Sequence, residues 1–357
     1  MTSLLNDIVY VDTCLAFSPM PCEREVLEYI TKEFGAIIVL VKEDDLCYNL
    51  RYWEDMGVDI LHIPVKNHRS PTFIQLYWIM EWIDNKIDKG RRILVHCSDG
   101  LGRSGTIAAS YLIYMYDLDW KDALNRVRNL RSGAVESIEQ ESMLRVLSLA
   151  LKTLEKIDIR AIILVGEKHG WGWSEEHASK VMQLSLRLWE DLYKHLGLSE
   201  DSVKYLAIAS LLHDIGKGRE IEGENHAEAS ARLLKKTKIL PPFALRQLDY
   251  LACIIKYHRK EGNPLEDPGC IRDKQLALLT ALLKIGDGLD YMLNQAVADV
   301  KATINKDEIE IKAYCIDGCR GNIKRAEEKS WLLQQLVGKK VLVTLTEIKN
   351  RSNIQNR

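Results

Sequence analysis

Residues 93–106 read ILVHCSDGLGRSGT. A short apolar run, Ile93–His96, leads directly to Cys97, and a loop with two glycines follows. A helix is expected from about Arg103. The backbone N–H groups of Ser98, Asp99, Gly100, Leu101, Gly102 and Arg103 can converge on an anion in such a loop, and a helix start adds positive potential. Gly100 and Gly102 leave room for the anion and for positive φ. Arg103, six residues after Cys97, can grip two oxygens of a tetrahedral oxyanion with its planar fork. A thiol among such groups favours the thiolate, which is the nucleophile of covalent catalysis. The Ser104 hydroxyl is placed to stabilise that sulfur as it leaves, and His96 completes a His-Cys pair. The expected chemistry is phosphoryl transfer to Cys97 without a cofactor.

A second set of residues has metal-ligand chemistry. His213 and Asp214 adjoin in LLHDIGK, at an expected helix end, where imidazole and carboxylate can reach one cation. His177, which begins a helix, and Asp287, in IGDGLD, would complete a mixed nitrogen and oxygen set. Such a set suits Mn, Fe, Mg or Zn. His226 and His258 could hold a second metal or bind phosphate. Lys217, three residues after Asp214, is a natural phosphate contact.

The elements that must position these residues divide the chain. Its 357 residues suggest two domains. Residues 1–155 carry a net charge of −6 and residues 156–357 one of +4, a sign change that supports the division. In the first part Ile8–Val11, Ala36–Val41, Asp59–Ile63 and Ile93–His96 read as strands. Phe73, Leu76, Met80, Ile83 and Ile87 form one face of a helix between them. This alternation predicts an α/β sheet flanked by helices over 1–155. Residues 156–296 read as an all-α domain, with Val181, Leu184, Leu188 and Leu192 as one stripe and Val203–Leu212 and Leu276–Leu283 as further apolar helices. Residues 297–357 read as a small α+β appendage: Glu308–Ala313 and Lys340–Thr346 alternate, 322–337 look helical, and 349–357 form a polar, frayed tail.

Composition narrows the function classes. Hydrophobic residues are 46% and charged residues 28%, which excludes collagen-like or largely disordered chains. No apolar run reaches the ~20 residues of a membrane span. The start MTSLLNDIVYVDTC has no basic region before an apolar stretch, so no secretory signal is expected. A net charge of −2 argues against a large nucleic-acid footprint. The eight cysteines contain no C-x-x-C pair. The expectation is therefore reduced thiols in a cytoplasmic protein, seven of them small buried hydrophobes and Cys97 reactive.

The loop resembles the signature H-C-x5-R-[ST] of the protein tyrosine and dual-specificity phosphatases. It is most similar to the compact dual-specificity and archaeal-type members, which share GxGR[ST]GT. The resemblance extends over roughly residues 5–150 and includes RSGAVESIEQ (131–140), similar to the family's RPGx[IV]ExxxQ. It implies that Gln140 positions the hydrolytic water. The family's general acid is an Asp in IPxxDxxxP, whereas Ile63–Pro71 read IPVKNHRSP and place Asn67 there. Asp99, where the family often has an uncharged residue, is an alternative proton source if protonated, and His68 is another. The order CSDG also resembles the loop of myotubularin lipid phosphatases and of receptor pseudophosphatases. The H, HD, D set resembles the HD superfamily of metal-dependent phosphohydrolases. YHRK (257–260) and LLKIGDGLD (282–290) are similar to the C-terminal domain of the exopolyphosphatase and guanosine-pentaphosphate phosphatase family, whose N-terminal ATPase-like domains have no counterpart here.

These resemblances imply a Cys97-dependent phosphomonoesterase acting on a phosphorylated protein or small metabolite. The fused HD domain would bind a divalent metal and hydrolyse or sense a nucleotide or polyphosphate. The alternative is a phosphate- or phosphoprotein-binding pseudophosphatase with a regulatory HD module.

Overall fold

A computed structural model describes residues 7–348. The expectation of a frayed tail at 349–357 lies outside the described residues, as does the first part of the N-terminal segment. The chain forms two compact units, residues 1–148 and 149–357.

The first unit is built on a five-stranded sheet. β1 (Val9–Tyr10) pairs antiparallel with β2 (Leu15–Ser18). β2 runs parallel to β5 (Ile93–His96), which runs parallel to β3 (Ala36–Val39), and β3 runs parallel to β4 (Asp59–His62). The spatial order is β1-β2-β5-β3-β4, so the strand that delivers Cys97 is the central one. β2, β3 and β5 are buried along their whole length, as expected for strands covered on both faces. β2 lies in LAFS, a run too short to stand out as a strand by periodicity. The helix Phe73–Asp88 starts with a capping box between Thr72 and Gln75 and buries Phe73, Leu76, Met80 and Ile83. The helix Gly102–Tyr116 follows the cysteine loop and is buried over nearly all of its length.

The second unit is helical up to residue 290. Its main helices are Lys156–His169, Glu175–Leu196, Ser202–Leu212, His226–Lys236, Leu248–Lys256 and Lys274–Gly288. Val181, Leu184, Leu188 and Leu192 are all buried, as their spacing predicts. A three-stranded sheet follows, in the order β6 (Val297–Ile304), β7 (Glu308–Cys315), β8 (Lys340–Glu347). β6 and β7 are antiparallel, β7 and β8 parallel. The connection from β7 to β8 is a pair of helices, Arg320–Lys329 and Trp331–Val337. The sheet is anchored to the helices: Gln183 Nε2 donates to the Ala298 carbonyl at 2.9 Å and Arg187 Nε to Asp299 at 3.0 Å.

The cysteines correct the expectation of free thiols. Cys22–Cys47, Cys253–Cys270 and Cys315–Cys319 are disulfide-bonded, which leaves Cys14 and Cys97 free among the described residues. The fold brings the partners within disulfide range, with Cα–Cα separations of 5.5, 5.9 and 6.0 Å. Two of the pairs are 25 and 17 residues apart, a proximity that local spacing does not reveal.

Candidate active site and metal centre

Cys97 sits at the end of β5 and is buried. Its Sγ lies 3.4 Å from Ser104 Oγ, inside the first turn of the following helix. The loop between them turns its carbonyls outward. Ser98 O accepts from Met20 N at 3.0 Å, Asp99 O from an Arg131 Nη at 3.1 Å, and Leu101 O from Val135 N at 3.3 Å. Among the described residues the amides of Ser98 to Gly102 have no acceptor. Outward carbonyls and free amides are the arrangement that receives an anion. Gly100 has φ +68°, and a Cβ there would strike Ser18 and Pro19.

Arg103 closes the ring. It is buried, donates to the Val65 carbonyl at 3.0 Å and to Ser98 Oγ at 2.9 Å, and leaves its Nε without a partner among the described residues. A buried guanidinium N–H without an acceptor is costly unless a ligand supplies one. His96 is fully buried and takes no part as a cation: desolvation lowers its pKa to about 4. Burial raises the Tyr48 phenol, which stays protonated and donates to His96 Nε2 at 2.5 Å. That bond assigns the imidazole proton to Nδ1, which lies 3.3 Å from the Cys97 carbonyl. Tyr48 therefore fixes the residue before the nucleophile, a role that nothing in the local sequence pattern marks.

The loop after β4 carries Asn67, where the resemblance leads one to expect an acid. Asn67 is exposed and caps its own turn, its Oδ1 accepting from His68 N at 3.1 Å. His68 has φ +58°. Asp99 is exposed. Gln140 is buried; its Oε1 accepts from Glu136 N at 2.8 Å and Ser137 N at 3.2 Å, and its Nε2 donates to the Arg69 carbonyl at 3.1 Å. A Cβ on Gly102 would strike Gln140 and Glu136, so Gln140 abuts the cysteine loop. Arg69 in turn pairs with Glu139 at 2.7 Å. Three contacts thus tie the 63–71 loop to this site.

In the second unit five elements end at one point. His177 lies in the first turn of Glu175–Leu196, capped by Ser174. His213 and Asp214 follow Ser202–Leu212, His226 opens its helix, His258 lies just beyond Leu248–Lys256, and Asp287 is in the last turn of Lys274–Gly288. Asp214 is the hub. Its Oδ2 is 3.3 Å from His213 Nε2 and 3.8 Å from His177 Nε2, while its Oδ1 is 3.4 Å from His258 Nε2 and 3.6 Å from His226 Nε2. Asp287 Oδ1 lies 3.5 Å from His177 Nε2 and 3.8 Å from His213 Nε2. Two ligand groups result, His177–His213–Asp214 and Asp214–His226–His258, sharing one carboxylate.

The remaining imidazole atoms are held from behind. His213 Nδ1 is 2.8 Å from the Ser210 carbonyl, His258 Nδ1 2.7 Å from that of Ile255, and His177 Nδ1 2.9 Å from Asp290 Oδ2. Such outer contacts fix the tautomer and aim Nε2 inward. Desolvation opposes charge on Asp214 and Asp287, but neighbouring imidazoles and, for Asp287, Lys329 hold both well below the usual carboxylate range. Among the described residues, His213 Nε2 and Asp214 Oδ1 are buried without a hydrogen-bond partner. Orphaned inward-facing donor atoms of mixed N/O type fit a divalent ion. Gly172 and Gly216 pack against Asp214 and Ser230 too closely for any side chain. Lys217 lies with its ammonium 4.3 Å over the Trp173 ring. A cavity of about 450 Å³ opens on the cluster, lined also by Arg259, Lys260, Arg325 and Lys329. Asp290 and Lys329 are the residues that sequence reasoning left out.

A central parallel strand ending in Cys-x5-Arg-Ser, with a helix behind it, is an α/β architecture that presents a thiol and a guanidinium at one anion-receiving loop. Residues 27–148 match the family model for the dual specificity phosphatase catalytic domain, and residues 175–292 that for the HD domain. The chain thus joins a dual-specificity phosphatase domain to an HD domain. It is 33% identical over 97 residues to cyclin-dependent kinase inhibitor 3 of Homo sapiens, covering 27% of this chain and 46% of that one. It is 28% identical over 102 residues to tyrosine-protein phosphatase CDC14 of Saccharomyces cerevisiae, covering 29% and 18%. The match thus spans under half of these relatives' own length. Among solved structures, Tk-PTP in its active form is 40% identical, with 42% of this chain and 98% of that chain covered and a TM-score of 0.39. Among the described residues no helix is long and apolar enough to cross a membrane.

Proposed function

We propose that the first unit hydrolyses phosphomonoesters through a phosphocysteine at Cys97. The observation that carries this is the buried Arg103 guanidinium, its Nε unpartnered, beside a loop of unpartnered amides at Cys97. The Cys97 sulfur attacks phosphorus in line, and the bond to the leaving oxygen breaks. Arg103 and the amides of 98–103 hold the equatorial oxygens as charge spreads over them. Ser104, 3.4 Å from the sulfur, then stabilises it as water releases phosphate, with Gln140 beside the loop to position that water. Asn67 cannot donate a proton, so Asp99 and His68 remain the candidates for that role, and substrates with good leaving groups are favoured. The relatives named tyrosine-protein phosphatase and dual specificity protein phosphatase point to a phosphorylated protein as substrate.

In the second unit His177, His213, Asp214 and Asp287 would hold a divalent ion, and His226 and His258 a second ion or a phosphate. The ion supplies Lewis acidity toward a phosphoryl group. His226, His258, Lys217 and the basic cavity wall would bind and orient a nucleotide or polyphosphate, for hydrolysis or for sensing.

An aryl phosphate assayed with and without chelator tests the reading. Activity that resists chelator and disappears in Cys97→Ser supports the first unit as the phosphatase. The exposed Asn67 favours a second reading, a phosphate-binding pseudophosphatase. Phosphate binding without turnover of any aryl phosphate would establish that one instead.

A further inference from the structure

We propose that Lys329, supplied by the appendage after residue 296, is a positioning residue of the metal centre that also contacts a ligand phosphate. The proposal rests on the metal-site reading above.

Lys329 is buried, and its ammonium pairs with Asp287 Oδ2 and reaches the His258 carbonyl at 3.3 Å. Asp287 is thereby divided: Oδ2 faces Lys329, and Oδ1 faces the Nε2 atoms of His177 and His213. One contact thus aims the carboxylate at the imidazoles, and the other touches the residue that carries a ligand of the second group. An ammonium has three donors, and two are engaged. The third belongs to a group lining the cavity over the cluster, on the wall shared with Arg259, Lys260 and Arg325. Glu328 pairs with both Lys260 and Arg325 at 3.1 Å and Asp287 with Lys329, whereas among the described residues Arg259 has no carboxylate within ion-pair distance. A phosphate oxygen is the acceptor that fits the third donor, because its charge would also offset Arg259 on the same wall and a nearby divalent ion.

The fold delivers Lys329 deliberately close. Gly288, next to Asp287, packs on Ala326 and Arg325 so tightly that no side chain would fit, and the helix Arg320–Lys329 lies directly on it. Buried Asn322 secures that helix by accepting from Met292 N at 2.9 Å and donating to Asn294 Oδ1 at 2.9 Å. Lys329 lies beyond the HD match, which ends at residue 292.

The test is Mn²⁺ titration of the full chain, with and without inorganic phosphate, for wild type, Lys329→Met and Lys329→Arg. Lys329→Met should weaken Mn²⁺ binding about 10–100-fold, the usual effect of losing an outer contact to a ligand. Phosphate should tighten Mn²⁺ binding to wild type by a factor in the range of about 5–150, and Mn²⁺ should tighten phosphate by the same factor. That coupling should vanish in Lys329→Met and persist in Lys329→Arg. If the methionine variant does not fold, Lys329→Gln replaces it with the same expected losses. Unchanged Mn²⁺ affinity in Lys329→Met, or coupling that survives in it, overturns the proposal. Wild type that binds no Mn²⁺ overturns the metal-site reading itself.

Discussion

The guanidinium of Arg103 donates a 3.0 Å hydrogen bond to the carbonyl of Val65, two residues before Asn67. Arg103, proposed to hold the phosphate, and the loop that would carry the general acid are therefore one mechanical unit, closed further by Gln140 on the Arg69 carbonyl. A proton donor restored at residue 67 would stand on a loop already docked. Asn67→Asp should raise the rate about tenfold or more on phosphate esters with poor leaving groups, since general acids contribute ~10²–10⁴. Substrates with acidic leaving groups should hardly respond. A series of aryl phosphates of graded leaving-group pKa measures this, and a uniform gain across the series would remove Asn67 from the acid position.

Cys97 should be the reactive thiol of the chain. Only Cys14 competes with it among the described residues, because the other six cysteines are paired. Brief iodoacetate treatment below pH 7 should label Cys97 before Cys14, and inorganic phosphate should protect it by filling the loop. Cys97→Ser should bind phosphate but turn nothing over. Peptide mapping reads the outcome, and labelling of Cys14 first would contradict the loop argument.

The phosphatase half was legible because its chemistry is local. Residues 93–106 contain strand, nucleophile, glycines and arginine in one run, and the strand Ile93–His96 and the start of the helix at Gly102 fall where the pattern puts them. The H, HD, D residues were legible because local signatures such as LLHDIGK and IGDGLD surround them. What escaped were the long-range contacts that no local signature marks. Tyr48 reaches His96 over 48 positions, Lys329 reaches Asp287 over 42, and the disulfides join cysteines by tertiary proximity. β2 was missed because four residues cannot display a period, and its identity comes from pairing with both β1 and β5.

The buried His96 should make the first unit acid-sensitive. Its pKa is lowered to about 4 in the folded chain, mainly by desolvation, against an ordinary value of 6.5. Above pH 6.5 it is neutral in both states. As pH falls from 6.5 to 4 the unfolded chain takes up the proton first, so stability drops across that window, by up to about 3 kcal/mol. Below pH 4 the loss is complete. His96→Gln should be less stable at pH 7.5 but should lose less on acidification. Urea unfolding followed from pH 7.5 to pH 4 measures the difference, and parallel curves for the two proteins would refute it.

The candidate metal cluster makes the last prediction. His177, His213, Asp214 and Asp287 come from three helix ends, and Asp214 touches four imidazoles at 3.3–3.8 Å. Neither group of ligands survives without that carboxylate. The double substitution His213→Ala with Asp214→Ala should therefore empty both groups rather than one. Purified wild type should carry at least one divalent ion per chain and the variant essentially none, by elemental analysis. Thermal unfolding of wild type should shift upward with added metal, because an ion bound only to the folded state stabilises it by mass action. The variant should not respond. Hydrolysis of an aryl phosphate by Cys97 should be unchanged, since every ligand lies in the second unit. Metal content that persists in the variant would show that the cluster is not where the ion binds.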